Sequence, residues 1–233
     1  MSTSKTSETY KSLRSDLLNG RFPPGGQLRI DSISKSRQVS VGAVREALSR
    51  LTSDGLVRNT PQRGFVVAPV SVDDLRDLTK VRIEVETRCL ELAIKQGDLK
   101  WEARILSAYH RLSKTKLESG DSNRTISPEW TELHIEFHDS LIAACNSPWR
   151  LRLRDMMFLQ AERYRRMATP YVFEHRDVDA EHKAIMEATL ARDSNLACEL
   201  LARHFEITSA IVLKSEILSA MEPAQKSREP VEA

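Results

Sequence analysis

The sequence is poor in three features that would each indicate a protein class. It has only three cysteines in 233 residues, Cys89, Cys145 and Cys198, and no CxxC pair, so we expect buried thiols in a reducing compartment rather than a disulfide framework. No apolar run approaches the length that spans a bilayer, and the N-terminal segment MSTSKTSETYKS is polar and lacks the core of a signal peptide. We therefore expect a cytoplasmic protein with no membrane partner.

Excess charge is also scarce overall, but it is unevenly distributed. The 35 Lys and Arg residues nearly balance the 33 Asp and Glu residues, and the net charge of +2 by itself indicates no polyanionic partner. Residues 1–70 carry 11 basic and 5 acidic side chains, a net +6, whereas residues 71–233 carry 24 and 28, a net −4. Because phosphate neutralisation requires basic charge, the N-terminal part is the candidate nucleic-acid reader.

The stretch Ser40–Leu56, SVGAVREALSRLTSDGL, predicts a helix suited to a groove of DNA. Ser40 is a favourable N-cap, and Gly55 supplies the left-handed residue that ends the helix. Four apolar side chains recur at helical spacing and are expected to be buried: Val44, Ala47, Leu48 and Leu51. The candidate DNA contacts are Ser40 and the residues of the opposite face, Gly42, Arg45 and Ser49.

Both flanks of this helix favour a winged helix-turn-helix. Upstream, Thr9–Asn19 is the predicted first helix, and Asp31–Arg37 is a short second helix that a turn at residues 38–40 sets across the third. Downstream, LVRNTPQRGFVV predicts a β-hairpin with Arg63 and Gly64 at its tip, a candidate wing. An amphipathic helix ending in glycine is commonly a core helix, but all these elements together favour binding of double-stranded operator DNA.

The rest of the chain predicts a helical domain. Ala68-Pro69-Val70 is the expected link, and from Ser71 to Met221 there is no convincing strand alternation and little Gly or Pro. The predicted helices are Val72–Lys95, Lys100–Glu118, Pro128–Cys145, Trp149–Ala168, Phe173–Arg192 and Asn195–Ala220. The predicted fold is therefore mainly α: a winged helix-turn-helix at residues 1–69, an all-α helical bundle at 70–221 and a disordered tail at 222–233.

Histidines are the candidate chemistry of the helical domain. His134 and His138 lie four residues apart and share one face of a helix, and His182 and His204 lie in the middle of two later helices. Imidazoles converging from three helices suit zinc or nickel better than magnesium or calcium, which prefer oxygen ligands. Taken alone, an i,i+4 histidine pair is more commonly a solvated or hydrogen-bonded face.

A more specific pattern lies in the N-terminal domain. Gly20, Pro24-Gly25 and Leu28 precede VREAL at residues 44–48, and DGLV at 54–57 and RGFV at 63–66 follow. This run resembles the winged-helix domain of the GntR family of bacterial transcription regulators over nearly all of residues 8–68. That family usually has an Arg just after the Ser that opens the recognition helix, where this chain has Val41. The resemblance implies a DNA-binding regulator that retains Arg45 but lacks one expected contact.

Residues 71–221 resemble the all-helical effector domain, called FCD, of the FadR-type branch of that family. Phe137-His138, Glu181-His182 and His204 match its pattern, which implies that three histidines and an acid hold a divalent metal. This chain has His134 where the family usually has Asp, so the site would be four imidazoles. Two interpretations stay open: a zinc or nickel site, or a metal-free pocket whose histidines help to hold a carboxylate effector.

Arginines point to an anionic effector. The resemblance places Arg82 inside the pocket, and Arg163 beside Tyr164, in AERYRRM, suits bidentate recognition of a carboxylate. Surface pairing, for example of Arg82 with Glu86, is the alternative. WTELHIEFHDSLIAAC followed by QAERYRRM resembles regulators that respond to short dicarboxylates such as glutarate. A homodimer is expected because two half-sites must be read, and the resemblance implies contact through the helical domain.

Two other functions compete with an effector-controlled repressor. A metal-dependent enzyme could use the histidines, although only Glu181 and Asp139 are available as a general base. An architectural DNA-binding protein would need no effector. Three further arginines are expected to form a solvated basic patch: Arg150, Arg152 and Arg154.

Overall fold

The computed structural model describes residues 5–119, 126–167 and 176–215. Its N-terminal part is a winged helix-turn-helix, which confirms the prediction. The elements are α1 (Lys5–Leu18), α2 (Ile30–Arg37), α3 (Val41–Ser53), β1 (Val57–Thr60) and β2 (Gly64–Val67). The two strands pair antiparallel as a hairpin, from Val57 opposite Val67 to Thr60 opposite Gly64.

Helix α3 is fixed at both ends as its sequence predicts. The Ser40 hydroxyl oxygen accepts a hydrogen bond from the Ala43 amide at 3.2 Å, and such a cap contributes about 1 kcal/mol. After the helix, Gly55 has a φ of 73°, a left-handed conformation that a residue with a Cβ rarely adopts. The inward face is fully buried in the core of the winged domain and comprises Val44, Ala47, Leu48 and Leu51.

The segment that follows α1 supports the base of the wing, a feature that the sequence pattern did not reveal. The Leu28 amide donates to the Phe65 carbonyl at 2.8 Å, and the Gly25 amide donates to the Val67 carbonyl at 3.0 Å. A bridge between Gln27 and Val66 continues this pairing. The wing is therefore held on its second edge as well as by its own hairpin bonds.

The helices are the only named elements among the described residues after the linker, in agreement with the predicted all-α domain. The helices are α4 (Val72–Gln96), α5 (Leu99–Lys114), α6 (Pro128–Ile142), α7 (Pro148–Met167), α8 (Val178–Leu190) and α9 (Ser194–Lys214). Helix α5 ends at Lys114, not at the predicted Glu118. The predicted start at Phe173, the predicted end at Ala220 and the predicted tail at 222–233 lie outside the described residues. None of the helices among the described residues is long and apolar enough to cross a membrane.

The helical domain has one large apolar core. Trp101 of α5 packs into it, and its indole nitrogen donates to the Ser140 carbonyl of α6 at 2.9 Å. Cys89 and Cys145 lie buried in the same core, whereas Cys198 is half-buried, and all three are free thiols. The core joins α4, α5 and α6 to α8 and α9, the arrangement on which the candidate site depends.

Helix α7 contacts both domains. Its Leu159 packs into the core of the winged domain. The Gln160 side chain donates to the Asp54 carbonyl, just after α3, at 2.8 Å. Arg166 donates to the side chain of Asn19, beside α1, at 2.8 Å. A displacement of α7 would therefore act directly on α1 and on the end of α3.

Candidate DNA-binding face and histidine cluster

The outward face of α3 carries the predicted DNA contacts. Gly42, Arg45 and Ser49 are exposed, and Val41 is also exposed where the family resemblance expects an Arg. Within the described part of the chain, Arg45 has no ion-pair partner, so its guanidinium can reach a base edge or a phosphate. The Ser40 hydroxyl oxygen accepts the capping bond from the Ala43 amide. Its hydroxyl proton is not used by that bond and can donate to a phosphate.

The tip of the wing is shaped by left-handed residues. Gly64 has a φ of 66° and Gln62 a φ of 63°, so the hairpin turns tightly beneath Arg63. The Arg63 side chain is exposed and makes a long bond, 3.4 Å, to the Gly25 carbonyl. The tip therefore presents a cation on the hairpin that follows the recognition helix, where a wing meets a groove or the phosphate backbone.

The four candidate histidines converge inside the helical domain. His134 and His138 come from α6, His182 from α8 and His204 from α9, and all four are buried, with at most 5% of each residue exposed. Each offers one ligand nitrogen, and these nitrogens lie within 4.8 Å of one another. The sequence predicted the two on α6 as neighbours, and the fold brings the other two to them.

Several imidazole nitrogens of this cluster have no partner of their own. The Nε2 atoms of His134 and His138 face each other at 3.2 Å. Nitrogens that share one zinc ion at about 2.0–2.1 Å lie about 3–3.5 Å apart, so this spacing suits two ligands of one metal. Among the described side chains, the Nδ1 atoms of His134 and His138 and the Nε2 atom of His182 are buried without a hydrogen bond. Buried polar atoms are rarely left in this state.

Burial keeps these imidazoles neutral. Desolvation, reinforced by the neighbouring histidines, lowers the pKa of His134, His138 and His182 well below its ordinary value. Burial also lowers the pKa of His204, although the hydrogen bond with Glu181 opposes this shift. Neutral imidazoles are the form that can ligate a metal, so the protonation state of the cluster is compatible with a metal site.

His204 differs from its neighbours because its ring is held by the ion pair between Glu181 and Arg176. Its Nδ1 lies 2.7 Å from Oε2 of Glu181. Arg176 donates to both oxygens of Glu181, at 2.8 and 2.7 Å, and also to the Thr208 hydroxyl at 3.0 Å. Burial acts to raise the pKa of Glu181, but the bonds from Arg176 and His204 outweigh it and bring the pKa to about 2.

A small cavity of about 40 Å³ adjoins the cluster. Its lining includes His134, Arg82 of α4 and Phe205 of α9. The Arg82 guanidinium lies over the Phe205 ring, 3.8 Å from its centroid, and its Nε donates to Glu86 at 2.5 Å. Both interpretations of Arg82 are therefore seen together: it reaches the cavity, and it pairs with Glu86, which is itself buried.

Comparisons with known proteins identify the class. The family model described as "Bacterial regulatory proteins, gntR family" matches residues 5–67, and the model of the FCD domain matches residues 77–207. The chain is 39% identical over 210 residues to the HTH-type transcriptional regulator BphR of Paraburkholderia xenovorans, covering 90% of this chain and 86% of that protein. The chain belongs to the GntR family of bacterial transcription regulators.

Further relatives agree with this GntR assignment. The HTH-type transcriptional repressor GlaR of Escherichia coli is 35% identical over 199 residues, covering 84% of this chain and 90% of that protein. Among solved structures, E. coli McbR/YncC shares the fold with a TM-score of 0.73 at 21% identity, over 91% of this chain and 98% of that one. The FCD domain marks the FadR-type branch, and the GntR chain is a regulator, not the metal-dependent enzyme considered above.

One predicted effector contact of this GntR regulator lies elsewhere. Arg163 donates to the Ala68 carbonyl and, at 2.9 Å, to the Pro69 carbonyl, both in the interdomain linker. Consecutive side chains on a helix point about 100° apart, and Arg163 lies on the face of α7 that meets the linker. Arg163 is therefore not part of the cavity beside the histidines; it lines a separate cleft of about 450 Å³, and its role in effector binding stays a prediction. Tyr164 does line the cavity, but its hydroxyl donates to Asp74 at 2.5 Å.

Two charged groups beside the cavity were not predicted as functional. Glu162 lines the cavity and receives two hydrogen bonds from Arg165, at 2.6 and 2.8 Å. Burial acts to raise the pKa of Glu162, but Arg165 and Arg166 lower it to about 2. An acid three residues before an arginine is typical of exposed helix faces, so this buried pair could not be predicted from its spacing.

Arg154 also departs from the prediction, because it is buried and does not belong to a solvated patch. It donates to Asp139 and, at 3.4 Å, to Glu86, which links it to Arg82 through a shared carboxylate. Its Nη2 atom is buried without a partner among the described residues. The result is a chain of buried charges from α7 to the cavity.

Proposed function

We propose that this regulator is a repressor that binds operator DNA as a homodimer and responds to a small carboxylate, in particular a short dicarboxylate, in its helical domain. The DNA-reading part rests on the exposed Arg45 face and the Arg63 wing tip. The similarity to the transcriptional repressor GlaR supports the sign of regulation. The proposal for the helical domain is carried by one observation: four buried histidines bring ligand nitrogens within 4.8 Å of one another beside a cavity that Arg82 lines.

The histidine cluster fits a divalent metal, with zinc or nickel the best match to an all-nitrogen donor set. His134, His138, His182 and His204 would hold it, and the unpartnered Nε2 atom of His182 would gain a partner. A bound metal would supply a positive centre that attracts a carboxylate oxygen. The replacement of the usual Asp by His134 makes the donor set neutral, which favours an anionic ligand further.

Arg82 is the residue we assign to the effector carboxylate. Its guanidinium is half of a buried pair with Glu86, and it can present its remaining N–H groups toward the cavity. A cavity of about 40 Å³ holds water or an ion, whereas small-molecule sites are about 300–1,000 Å³. A dicarboxylate therefore enters only an arrangement in which α4, α7 and α9 have moved apart. Binding shifts the population toward that arrangement.

Helix α7 is the route from the cavity to the DNA-binding domain. Glu162 and Arg165 of this helix line or flank the cavity, while Gln160 and Arg163 bind the winged domain and the linker. Opening of the cavity would displace both sets of contacts together. The two winged domains of a dimer would then lose the spacing that matches two operator half-sites.

The dimer contact is assigned to a face shared by α4 and α7. Val81, Leu153 and Met156 are between 41% and 52% exposed, and they line one cleft of about 450 Å³ beside the winged domain. Apolar side chains clustered in this way are typical of an interface with a second copy. Met156→Glu should therefore yield monomers in light scattering, whereas Leu99→Glu, at an exposed position on α5, should not. A dimeric Met156→Glu protein would exclude this face.

The proposed function is tested by DNA binding with and without the effector. The operator duplex is first selected from random sequence by its binding to the protein. The affinity of the protein for this duplex is then measured by fluorescence anisotropy at fixed salt. The measurement is repeated with glutarate in the presence of zinc or nickel. Glutarate should weaken binding several-fold. Arg45→Ala should lose most specific affinity, while Arg104→Ala, an exposed arginine on α5, should not. Operator binding that no short dicarboxylate changes would contradict the effector proposal, and operator binding unchanged by Arg45→Ala would exclude α3 as the reader.

A further inference from the structure

We propose that Glu181, locked by Arg176, is a positioning residue of the metal site: it fixes the ring of His204 so that Nε2 points to the other three histidines. The proposal rests on the proposed metal site and adds a residue that does not itself touch the metal. Glu181 immediately precedes the ligand His182 on α8, yet its carboxylate reaches across to His204 on α9.

The bond between Glu181 and His204 determines which nitrogen is free. Nδ1 lies 2.7 Å from the Glu181 carboxylate, which accepts, and 3.2 Å from Nη2 of Arg176, which donates. The carboxylate contact is the shorter of the two, and it assigns the proton of the neutral imidazole to Nδ1. The lone pair is then on Nε2, the nitrogen available to a metal. Carboxylates commonly bind the second nitrogen of a metal-ligating histidine in this way, and they raise its basicity as a ligand.

Arg176 keeps this carboxylate in place. It forms two parallel bonds to Glu181, at 2.8 and 2.7 Å, which fix both the position and the plane of the carboxylate. The same guanidinium donates to the Thr208 hydroxyl and to the His204 carbonyl, at 3.0 and 3.2 Å, and so ties the carboxylate to α9 itself. Glu181, Arg176 and His204 therefore form one continuous hydrogen-bond network.

The other ligands lack such support in the described part of the chain. The Nδ1 atoms of His134 and His138 have no hydrogen-bond partner and their Nε2 atoms face each other, so no charged side chain sets their tautomers. His204 is thus the one ligand for which the structure shows a charged side chain setting the tautomer before a metal binds. Loss of such support typically weakens metal binding by about 10–100-fold.

The test compares three variants of the full chain by zinc titration against a chelating dye, repeated with nickel. Glu181→Ala removes the carboxylate, and Glu181→Gln keeps an oxygen that can accept from His204 but loses the charge. Glu187→Gln is the matched control, because Glu187 lies on the same helix and its ion pair with Lys183, at 3.8 Å, is exposed. We expect binding about 10–100-fold weaker for Glu181→Ala, an intermediate loss for Glu181→Gln and no change for Glu187→Gln.

A second readout separates positioning from mere support of the fold. Imidazole nitrogen NMR of the metal-free protein should show His204 as the Nδ1–H tautomer in the wild type and a mixture in Glu181→Ala. Unchanged metal affinity in both Glu181 variants, even with a lower melting temperature, would overturn the positioning role and leave the metal site standing. A wild-type protein that binds neither metal would overturn the metal site and this inference with it. If Glu181→Ala does not fold, Glu181→Gln decides.

Discussion

Acidification should destabilise the metal-free protein in the pH range where the histidines of the unfolded chain take up protons. His134, His138 and His182 are buried, and their pKa lies well below its ordinary value. In the unfolded chain each would titrate near pH 6.5, so the unfolded state binds more protons as the pH falls through that value. Stability is therefore fully present above about pH 6.5 and is lost below it.

The magnitude follows from proton linkage. Between about pH 7.5 and about pH 5, one histidine that stays neutral when folded and has an unfolded pKa of about 6.5 costs about 2 kcal/mol. Three such histidines cost about 6 kcal/mol, which is comparable with the total stability of about 5–15 kcal/mol that native proteins have. Buried carboxylates contribute in a separate range: the pKa of Glu162 is about 2, so its contribution is lost only below the unfolded value of 4.5.

The assay is urea unfolding at several pH values in the presence of a chelator and at constant ionic strength. His138→Leu removes one titrating group and should reduce the loss by about 2 kcal/mol. His110→Gln changes an exposed histidine and should leave the loss unaltered. A stability that is flat over this range, or an unaltered pH dependence in His138→Leu, would refute the assignment of neutral, buried imidazoles.

Three further substitutions test the account at separate points. Ser40→Ala removes the cap of α3 and should lower the free energy of unfolding by about 1 kcal/mol in urea titrations; an unaltered value would mean that the cap contributes nothing. Gln160→Ala removes the bond from α7 to Asp54 and should reduce the ratio of operator affinities measured without and with glutarate, and an unaltered ratio would exclude this contact from the coupling. Arg82→Lys keeps the charge but loses the forked guanidinium, so the affinity for glutarate measured by calorimetry should fall about tenfold. An affinity equal to that of the wild type would mean that Arg82 does not bind the carboxylate.

Elements controlled by local chemistry could be predicted from the sequence. The apolar spacing of α3 placed Arg45 on the exposed face, and the cap at Ser40 and the left-handed Gly55 set its limits. The start of α6 follows from Ser127 and Pro128, where a capping side chain precedes the residue that best tolerates the first helical position. These features depend on residues within one or two turns of each other.

Features controlled by packing could not be predicted. Arg154 stands among other arginines at the start of α7, a pattern typical of a solvated face, but it is buried because its partner Glu86 lies 68 residues away on α4. Arg163 and Tyr164 are adjacent in sequence, and only the packing of α7 decides that one meets the linker and the other the cavity.

The histidine cluster lies between these cases. The four-residue spacing identified one pair, and the family pattern supplied His182 and His204, but no local signal indicated the ion pair that holds His204. Glu181 and His204 are 23 residues apart, on different helices, so the contact depends on how α8 and α9 pack. From the sequence, Glu181 is expected as the residue before His182 in the family pattern or as a general base of a competing enzyme, because its position next to His182 gives no indication of its partner on α9.

The central claim, a metal-centred effector pocket, is tested most directly by the native metal content. Untagged protein purified without chelator would be analysed by elemental mass spectrometry beside a His138→Ala, His182→Ala double variant whose fold is checked by circular dichroism. We predict close to one zinc or nickel per chain in the wild type and almost none in the variant. A wild-type protein without metal, both as purified and after incubation with zinc or nickel, would contradict the claim and leave the histidines as a metal-free lining of the pocket.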